Sequence, residues 1–417
     1  MEGGAKERGA TIRGDRLWRS LMELAEVGAI ANGGVCRLAL SDEDRQGRDL
    51  FVRWCREAGC SVAIDAVGNV FARRRGRSDS LPPIVTGSHL DTQPNGGRFD
   101  GAYGVMAGLE VVRALNDAGI RTEAPIEVVA WTNEEGTRFA PSMMGSMAFA
   151  GLLPIGTVLG SRDAQGCVFG DELERIGYRG EGLGERRFGA YFEAHIEQGP
   201  VLEETGHAIG VVTGGQGQRW YDVVLTGQAA HAGSTPMDRR RDALLGAAQV
   251  IEAVNRIGTG YPPGGVATVG HLSVSPGSRN VIPGEVSMSI EIRHPDDRKL
   301  LGMDAAIREA VAAVAGRVPL QARLDMVLDQ PATPFDDACI GAVREAARAE
   351  SLRYLEMISG AAHDAIAIAR VAPAAMIFVP CAGGISHNEA ESAAPQDLAD
   401  GCRVLLRAML ACAGGPE

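Results

Sequence analysis

Between Ile84 and Gly104 the chain reads IVTGSHLDTQPNGGRFDGAYG, an apolar run that gives way to a glycine-rich loop holding His89, Asp91 and Asp100. A neutral imidazole and carboxylates at such a place suit a divalent metal such as zinc. In an open α/β sheet, ligands bind just beyond the carboxyl ends of the strands, where such loops lie. Asp91 is placed to accept the other ring N–H of His89 and so fix its tautomer. Taken alone, the loop is equally well read as an ordinary strand-to-helix turn. Three more clusters decide between the two: Glu134/Glu135, His195/Gln198 and His387/Glu389/Glu391. Each follows a strand-like run, directly or after a few residues, so one sheet edge can gather them all. Three histidines with Asp and Glu can hold two ions when one carboxylate bridges them, and paired ions activate water and polarise a carbonyl. That is the chemistry of amide hydrolysis. Of the adjacent pair Glu134-Glu135, one carboxylate can ligate while its neighbour handles protons.

The elements that must carry these clusters can be read from periodicity. Leu17, Leu21, Leu24 and Ala25 recur at helical spacing, and Ser41 with Asp44 resembles a capping box that opens a helix through Trp54. CSVAIDAVGNVFARR reads as two strands around a Gly-Asn turn, Val105 to Leu115 as a helix, and IEVVAWTNEEG as a strand ending in two carboxylates. Residues 141–189 are irregular with short helical pieces, FGAYFEAHIEQG brings a further strand end, and GVVTGGQGQ is a glycine-dense hinge candidate. Then Trp220–Thr226, Ala243–Ile257, Val266–Val274, Val281–Arg293, Leu300–Val314 and Leu320–Leu328 give the order βαββαβ of a ferredoxin-like split unit. The α/β pattern returns with helices Ala338–Ala349 and Ala365–Arg370, strand Ala375–Val379 and helix Leu398–Ala413. The alternation predicts an α/β domain with a mostly parallel central sheet, residues 1–213 and 330–417, split by an inserted lid, residues 214–329.

Composition narrows the function class. At 417 residues the chain is too long for one ordinary core, and 45% apolar with 23% charged residues are globular values. A formal charge of -12 without a basic tract argues against nucleic-acid binding; Arg73 to Arg77 and Arg239 to Arg241 read as solvated ends. No apolar run reaches membrane-spanning length, and residues 1–16 read as a short flexible arm without the apolar core of a signal peptide. A cytoplasmic location is the resulting expectation, with the eight cysteines, none in a CxxC pair, as reduced thiols.

Together the motifs GSHLDTQPNGGRFDG, WTNEEGTRFAPSMMGS, FEAHIEQGPVLE, GQAAHAGSTPMDRRRDA, SRNVIPGEV, EIRHPD, SGAAHDA and GGISHNEAE make the sequence similar to a known family. From about Leu17 to Leu410 it resembles the N-carbamoyl-L-amino-acid amidohydrolases (L-carbamoylases). These belong to the dinuclear-metal group that includes allantoate amidohydrolases, β-ureidopropionases and related acylases and peptidases. The resemblance implies a dinuclear-zinc exopeptidase-like fold, with helices on both faces of the sheet and a lid that also dimerises. It implies two divalent ions per subunit (Zn, or Mn, Co or Ni), with His89 and His195 on one, Glu135 and His387 on the other, and Asp100 bridging. Glu134 would be the general base, and Asp91 the partner of His89. On the lid, His231 resembles the residue that stabilises the developing oxyanion, while Asn280 and Arg293 resemble the clamp on the substrate carboxylate. Gln198 resembles a contact to the carbamoyl end. Gly360 and His363 of SGAAHDA match a substrate-proximal loop, where His363 is open to a direct contact or a local structural hydrogen bond. Lid residues of the group can enter the partner subunit's site, so a homodimer is expected. His207, His271 and His294 match no motif role and read as surface or strand-end residues.

The implied reaction is hydrolysis of the ureido C–N bond of an N-carbamoyl-L-amino acid to the amino acid, ammonia and carbon dioxide. The DTQP form of the first loop favours this over allantoate hydrolysis; β-ureidopropionase activity is the near alternative, and a deacylase or peptidase a more distant one. A non-catalytic scaffold of the same fold would be expected to lack Glu134 or a ligand, and none is missing. Ala362, Glu389 and Tyr103 depart from the commonest forms of their motifs and bear on the substrate side-chain pocket.

Overall fold

A computed structural model of the chain describes residues 9–182 and 186–414. Most of the expected N-terminal arm, residues 1–8, lies outside the described residues, and a helix already begins at Gly14. In chain order the strands are β1 Ser61–Ile64, β2 Val70–Arg74, β3 Ile84–His89, β4 Ile126–Trp131, β5 Ala190–Ile196, β6 Ile209–Gly215, β7 Gly217–Thr226, β8 Ala230–His231, β9 Val266–Ser275, β10 Val281–Ile282, β11 Glu285–His294, β12 Gln321–Gln330, β13 Thr333–Pro334, β14 Tyr354–Ser359 and β15 Ala374–Val379. The residues fall into two compact units, Met1–Gly214 with Pro334–Glu417, and Gly215–Thr333.

In the first unit the sheet runs β1-β2-β4-β3-β5-β15-β6-β13, with β14 also on β6. It is mixed rather than mostly parallel. β4, β3, β5 and β15 pair in parallel, while β1–β2, β2–β4 and β15–β6 are antiparallel. The physical difference lies in the connections. A two-stranded turn such as that between β1 and β2 can only make antiparallel neighbours, whereas parallel ones need a crossover such as the helix Ala102–Asp117 between β3 and β4. Every residue of β3, β4, β5 and β15 is buried, as expected of parallel strands covered on both faces.

Local signals set several boundaries. Ser41 Oγ accepts the amide of Asp44 (3.1 Å) and caps the helix Asp42–Glu57. The Asp44 carboxylate does not close the box on Ser41; it takes the Leu40 amide (2.8 Å) and the Arg48 guanidinium (2.8 Å) instead. The segment read as a hinge, GVVTGGQGQ, is β6 and the start of β7, fixed by the register Met376↔Val212 and Ile377↔Val211. Its glycines masked a strand. A strand not anticipated, β14, is half-exposed with mixed polarity, YLEMIS, and so lacks a clean period.

The second unit is a four-stranded antiparallel sheet, β12-β7-β11-β9, with the βαββαβ order. Tyr221, Val223 and Leu225 of β7 and Val286, Met288, Ile290 and Ile292 of β11 form its core with Ala247 and Val250 of helix Ala243–Thr259 and Met303 and Ile307 of helix Asp297–Arg317. The run expected as one strand, Val281–Arg293, is broken at Pro283-Gly284: β10 pairs with β8, and β11 with β7 and β9. Proline has no N–H to give a ladder. No helix among the described residues is long and apolar enough to cross a membrane.

Candidate metal centre

The four parallel strands deliver their carboxyl ends to one edge. His89 ends β3, His195 is next to last in β5, Glu134 and Glu135 follow β4, and His387 follows β15. Asp100 precedes the helix Ala102–Asp117, and between them Gly101 turns with φ +63°. A Cβ there would lie 2.4 Å from the His89 ring, so only glycine lets the loop pass.

Asp100 is the hub. Its Oδ1 is 3.1 Å from His195 Nε2 and 3.6 Å from His89 Nε2, and its Oδ2 is 3.3 Å from His387 Nε2. Glu135 Oε2 lies 3.4 Å from the same His387 nitrogen, and Glu134 Oε2 is 3.5 Å from His89 Nε2. His89, Asp100 and His195 thus make one group of candidate ligands, and Asp100, Glu135 and His387 a second. The ring orientations suit a cation. His89 Nδ1 meets the Asp91 carbonyl (2.8 Å) and His195 Nδ1 the Ile196 carbonyl (2.9 Å), so in the neutral tautomers both Nε2 lone pairs face Asp100. Carboxylates facing imidazoles, all buried but Glu135 and the exposed His387, match an oxygen-and-nitrogen donor set for a borderline divalent ion.

The electrostatics describe the site as it stands with protons alone. Burial works against it, yet hydrogen bonds from His195, His387 and His89 hold the Asp100 carboxyl well below the usual range. His387 is raised to about 8, first by its hydrogen bond to Asp100. Burial lifts Glu134 well above an ordinary glutamate and Glu135 to about 7. A bound dication would replace the imidazole protons and favour ionised carboxylates.

One expectation is corrected. The Asp91 carboxylate does not meet the His89 ring, because its backbone carbonyl does. The side chain turns the other way and accepts the amides of Glu134 (3.3 Å) and Glu135 (3.2 Å), fixing the loop that carries both glutamates. Gln198, expected at a carbamoyl group, has φ 58° and donates from Nε2 to Asp100 Oδ2 (2.8 Å) and Ser386 Oγ (3.2 Å). His363 is buried with its ring 4.4 Å, centroid to centroid, from that of His195, and its Nε2 has no hydrogen-bond partner among the described residues. Burial holds it well below the usual histidine range, hence neutral. Gly360, three residues before it, leaves open space where a Cβ would stand.

Sequence reasoning passed over several residues that shape the site. Gln93 Nε2 donates to Glu135 Oε2 (2.7 Å) while its Oε1 accepts from Thr137 (2.8 Å). Behind His195, Glu193 accepts from Ser88 Oγ (2.6 Å) and the Ala365 amide (2.8 Å). Glu391 accepts the amides of Phe99 (2.8 Å) and Asp100 (3.2 Å). Only Glu391 carried a signal, its place beside His387. The three unusual positions sort differently. Tyr103 is fully buried and donates to the Leu398 carbonyl (2.9 Å), and Glu389 accepts from Asn32 (2.9 Å). Nothing in the structure gives Ala362 a role.

The remaining candidates lie in the second unit. His231 is exposed on β8, and its Nδ1 accepts the amides of Gly233 (3.0 Å) and Ser234 (3.1 Å), which leaves the proton on Nε2 as a donor. Asn280 is its neighbour across the ribbon, through the bond from the Ala232 amide to the Asn280 carbonyl (2.9 Å). Arg293 is near the far end of β11, its Nε held by Glu291 (2.6 Å). Eight residues of strand, about 25 Å, separate it from Glu285 at the start of β11. His294, expected at the surface or a strand end, does end β11 but is buried.

A buried, carboxylate-centred cluster at the carboxyl edge of an α/β sheet defines a metallohydrolase type of site, and comparisons make the class specific. The chain belongs to peptidase family M20/M25/M40, whose sequence model matches residues 85–411. The chain is 46% identical to the N-carbamoyl-L-amino-acid amidohydrolase of Rhizobium meliloti, over 96% of each chain. It is 41% identical to the N-carbamoyl-L-amino acid amidohydrolase of Geobacillus stearothermophilus, over 97% of this chain and 100% of that one. A crystal structure of an amidase of the hydantoinase/carbamoylase family from Burkholderia multivorans superposes with a TM-score of 0.93 at 56% identity, covering 98% of this chain and 100% of the other. The family is metal-dependent, and the chain has groups of side chains that could hold an ion.

Proposed function

We propose that the protein hydrolyses N-carbamoyl-L-amino acids to the L-amino acid, ammonia and carbon dioxide. The observation that carries the reading is the Asp100 carboxylate, whose two oxygens face two separate sets of nitrogen and oxygen donors. The relatives' printed activity supplies the substrate class.

On this reading His89 and His195 would hold one divalent ion and Glu135 and His387 another, with Asp100 shared between them; zinc, manganese, cobalt or nickel would fit such donors. The ions would supply Lewis acidity to the ureido carbonyl and acidify a water. Glu134 takes the proton of that water and returns it to the leaving nitrogen, a role suited to a buried carboxyl raised toward neutrality. Asp91 holds the Glu134 amide and so its aim. Gln198 and neutral His363 line the site, and His363 Nε2 is available to the substrate. His231 Nε2–H donates to the developing oxyanion. Arg293, oriented by Glu291, reads the α-carboxylate with a bidentate fork.

Asn280 stands beside the β8–β10 ribbon and Arg293 near the far end of β11, and this spacing supports a homodimer in which the second unit lends His231 and Asn280 to its partner's site. One small carboxylate does not reach both from a single chain.

The test is ammonia release by metal-reconstituted protein from N-carbamoyl-L-methionine, its D-enantiomer, N-carbamoyl-β-alanine and allantoate. Preference for the L-carbamoyl compound is expected. Faster turnover of β-alanine or allantoate substrates would move the substrate and keep the hydrolase; inactivity on all four with metal bound would overturn the proposal.

A further inference from the structure

The loop that ends in Glu391 touches the metal centre without offering it a ligand. Glu391 Oε1 accepts two consecutive backbone amides, Phe99 (2.8 Å) and Asp100 (3.2 Å). Its Oε2 meets Ser386 Oγ (3.0 Å), and the same hydroxyl lies 2.9 Å from Asp100 Oδ2. The side chain therefore holds Asp100 at its backbone, and at its carboxylate through Ser386, whose single hydroxyl hydrogen the two carboxylates share. It is 5% exposed, and its seat is cut by Gly97: a Cβ there would lie 2.0 Å from Glu391 Cδ and Oε1. Residues 97–100 and 386–391 are remote in sequence, so this clasp is what registers the loop bearing Asp100 against the loop bearing His387.

We infer that Glu391 is a positioning residue that sets the pose of the bridging Asp100 carboxylate, with Ser386 as its relay and Gly97 as the gap that admits it. The inference rests on the metal-centre reading above. Because Asp100 faces both ligand groups, a loosened Asp100 weakens both at once. Partners of ligating carboxylates typically contribute about 10- to 100-fold in metal affinity.

The test is zinc titration of the metal-stripped full chain against a chromophoric chelator, with circular dichroism to confirm folding. Glu391→Ala is expected to bind zinc 10- to 100-fold more weakly, with both equivalents weakened together. Glu391→Gln is expected to stay within about threefold of the parent, since its carbonyl oxygen keeps the two amides and its NH2 can donate to Ser386, leaving the serine hydrogen to Asp100. Ser386→Ala, at a half-buried site, should lose about tenfold and keeps the test decisive if Glu391→Ala does not fold. Gly97→Ala should reproduce the Glu391→Ala loss by evicting an unaltered carboxylate. Parent-like affinity in Glu391→Ala or Ser386→Ala overturns the inference, as does a Gln variant as weak as the Ala one. Asp100→Ala separates the two levels. If it binds zinc as the parent does, the metal-centre reading fails; if it loses zinc while Glu391→Ala keeps it, only the clasp fails.

Discussion

The two units carry their chemistry in opposite ways. In the first, Asp100, His89, His195 and Glu134 are all buried, and backbone carbonyls and carboxylates of the same chain accept a hydrogen bond from each. In the second, His231 and Asn280 are exposed on a two-residue ribbon, and Arg293 is only partly covered. A site that must present fixed charges to an ion is built before the ion arrives. Groups that touch substrate only during turnover are left where they can be brought in. On the proposed reading, the first arrangement would make the ligand set tolerant of little, and the second would make function depend on assembly.

The sharpest way to break the contrast is Glu134→Gln. It removes the base and keeps the volume, so kcat should fall by about 10² to 10⁴ while bound metal is unchanged. Near-normal turnover would take Glu134 out of the chemistry. The assembly side is tested by mixing two inactive variants, Glu134→Gln and His231→Ala. If lids act on the partner's site, random heterodimers contain one intact site and the mixture recovers about a quarter of parental activity. If they act within their own subunit, nothing returns.

The ligand side predicts a pH dependence of binding. Protons compete with metal on the imidazoles, and His387 stands at about 8 in the metal-free site. Zinc affinity should therefore rise with pH up to about 8, with protons released on binding, which calorimetry in buffers of different ionisation enthalpy measures. Stability of the stripped protein runs the other way. With its pKa raised above the unfolded value, His387 stabilises the fold fully below about 6.5, and that contribution is lost as pH rises through about 8. The smallest effect concerns Tyr103. Its Phe variant loses one buried hydrogen bond to Leu398, worth about 1 kcal/mol, so thermal stability should drop modestly with kcat/KM unchanged. A large change in substrate preference would place Tyr103 in the pocket after all.

Much of this was legible in the residues. The ligand candidates stand at strand ends because parallel strands leave an unmistakable apolar run that stops at a polar loop, as IVTGSH and YFEAHI do. The βαββαβ order of the second unit was legible for the same reason of clean periodicity. What escaped was set by neighbours distant in sequence. Nothing local tells that the Asp91 side chain serves Glu134 and Glu135 while its carbonyl serves His89, or that Gln93 reaches Glu135. The antiparallel margins of the first sheet were hidden likewise, since β6 has a glycine-rich sequence and becomes a strand only against its sheet neighbours, β15 among them.

The strand order has a consequence for how the protein is made. β15, residues 374–379, lies between β5 and β6 in the sheet, and His387 and Glu391 follow it. During synthesis the first sheet stays split until that late strand emerges, and the proposed ligand set is incomplete before then. The second unit is contiguous, Gly215–Thr333, and encloses its own apolar core. It can fold while the rest waits. On the proposed ligand assignment, metal capture would thereby be tied to completion of the chain, and a prematurely terminated product would carry a finished second unit beside an unfinished first one.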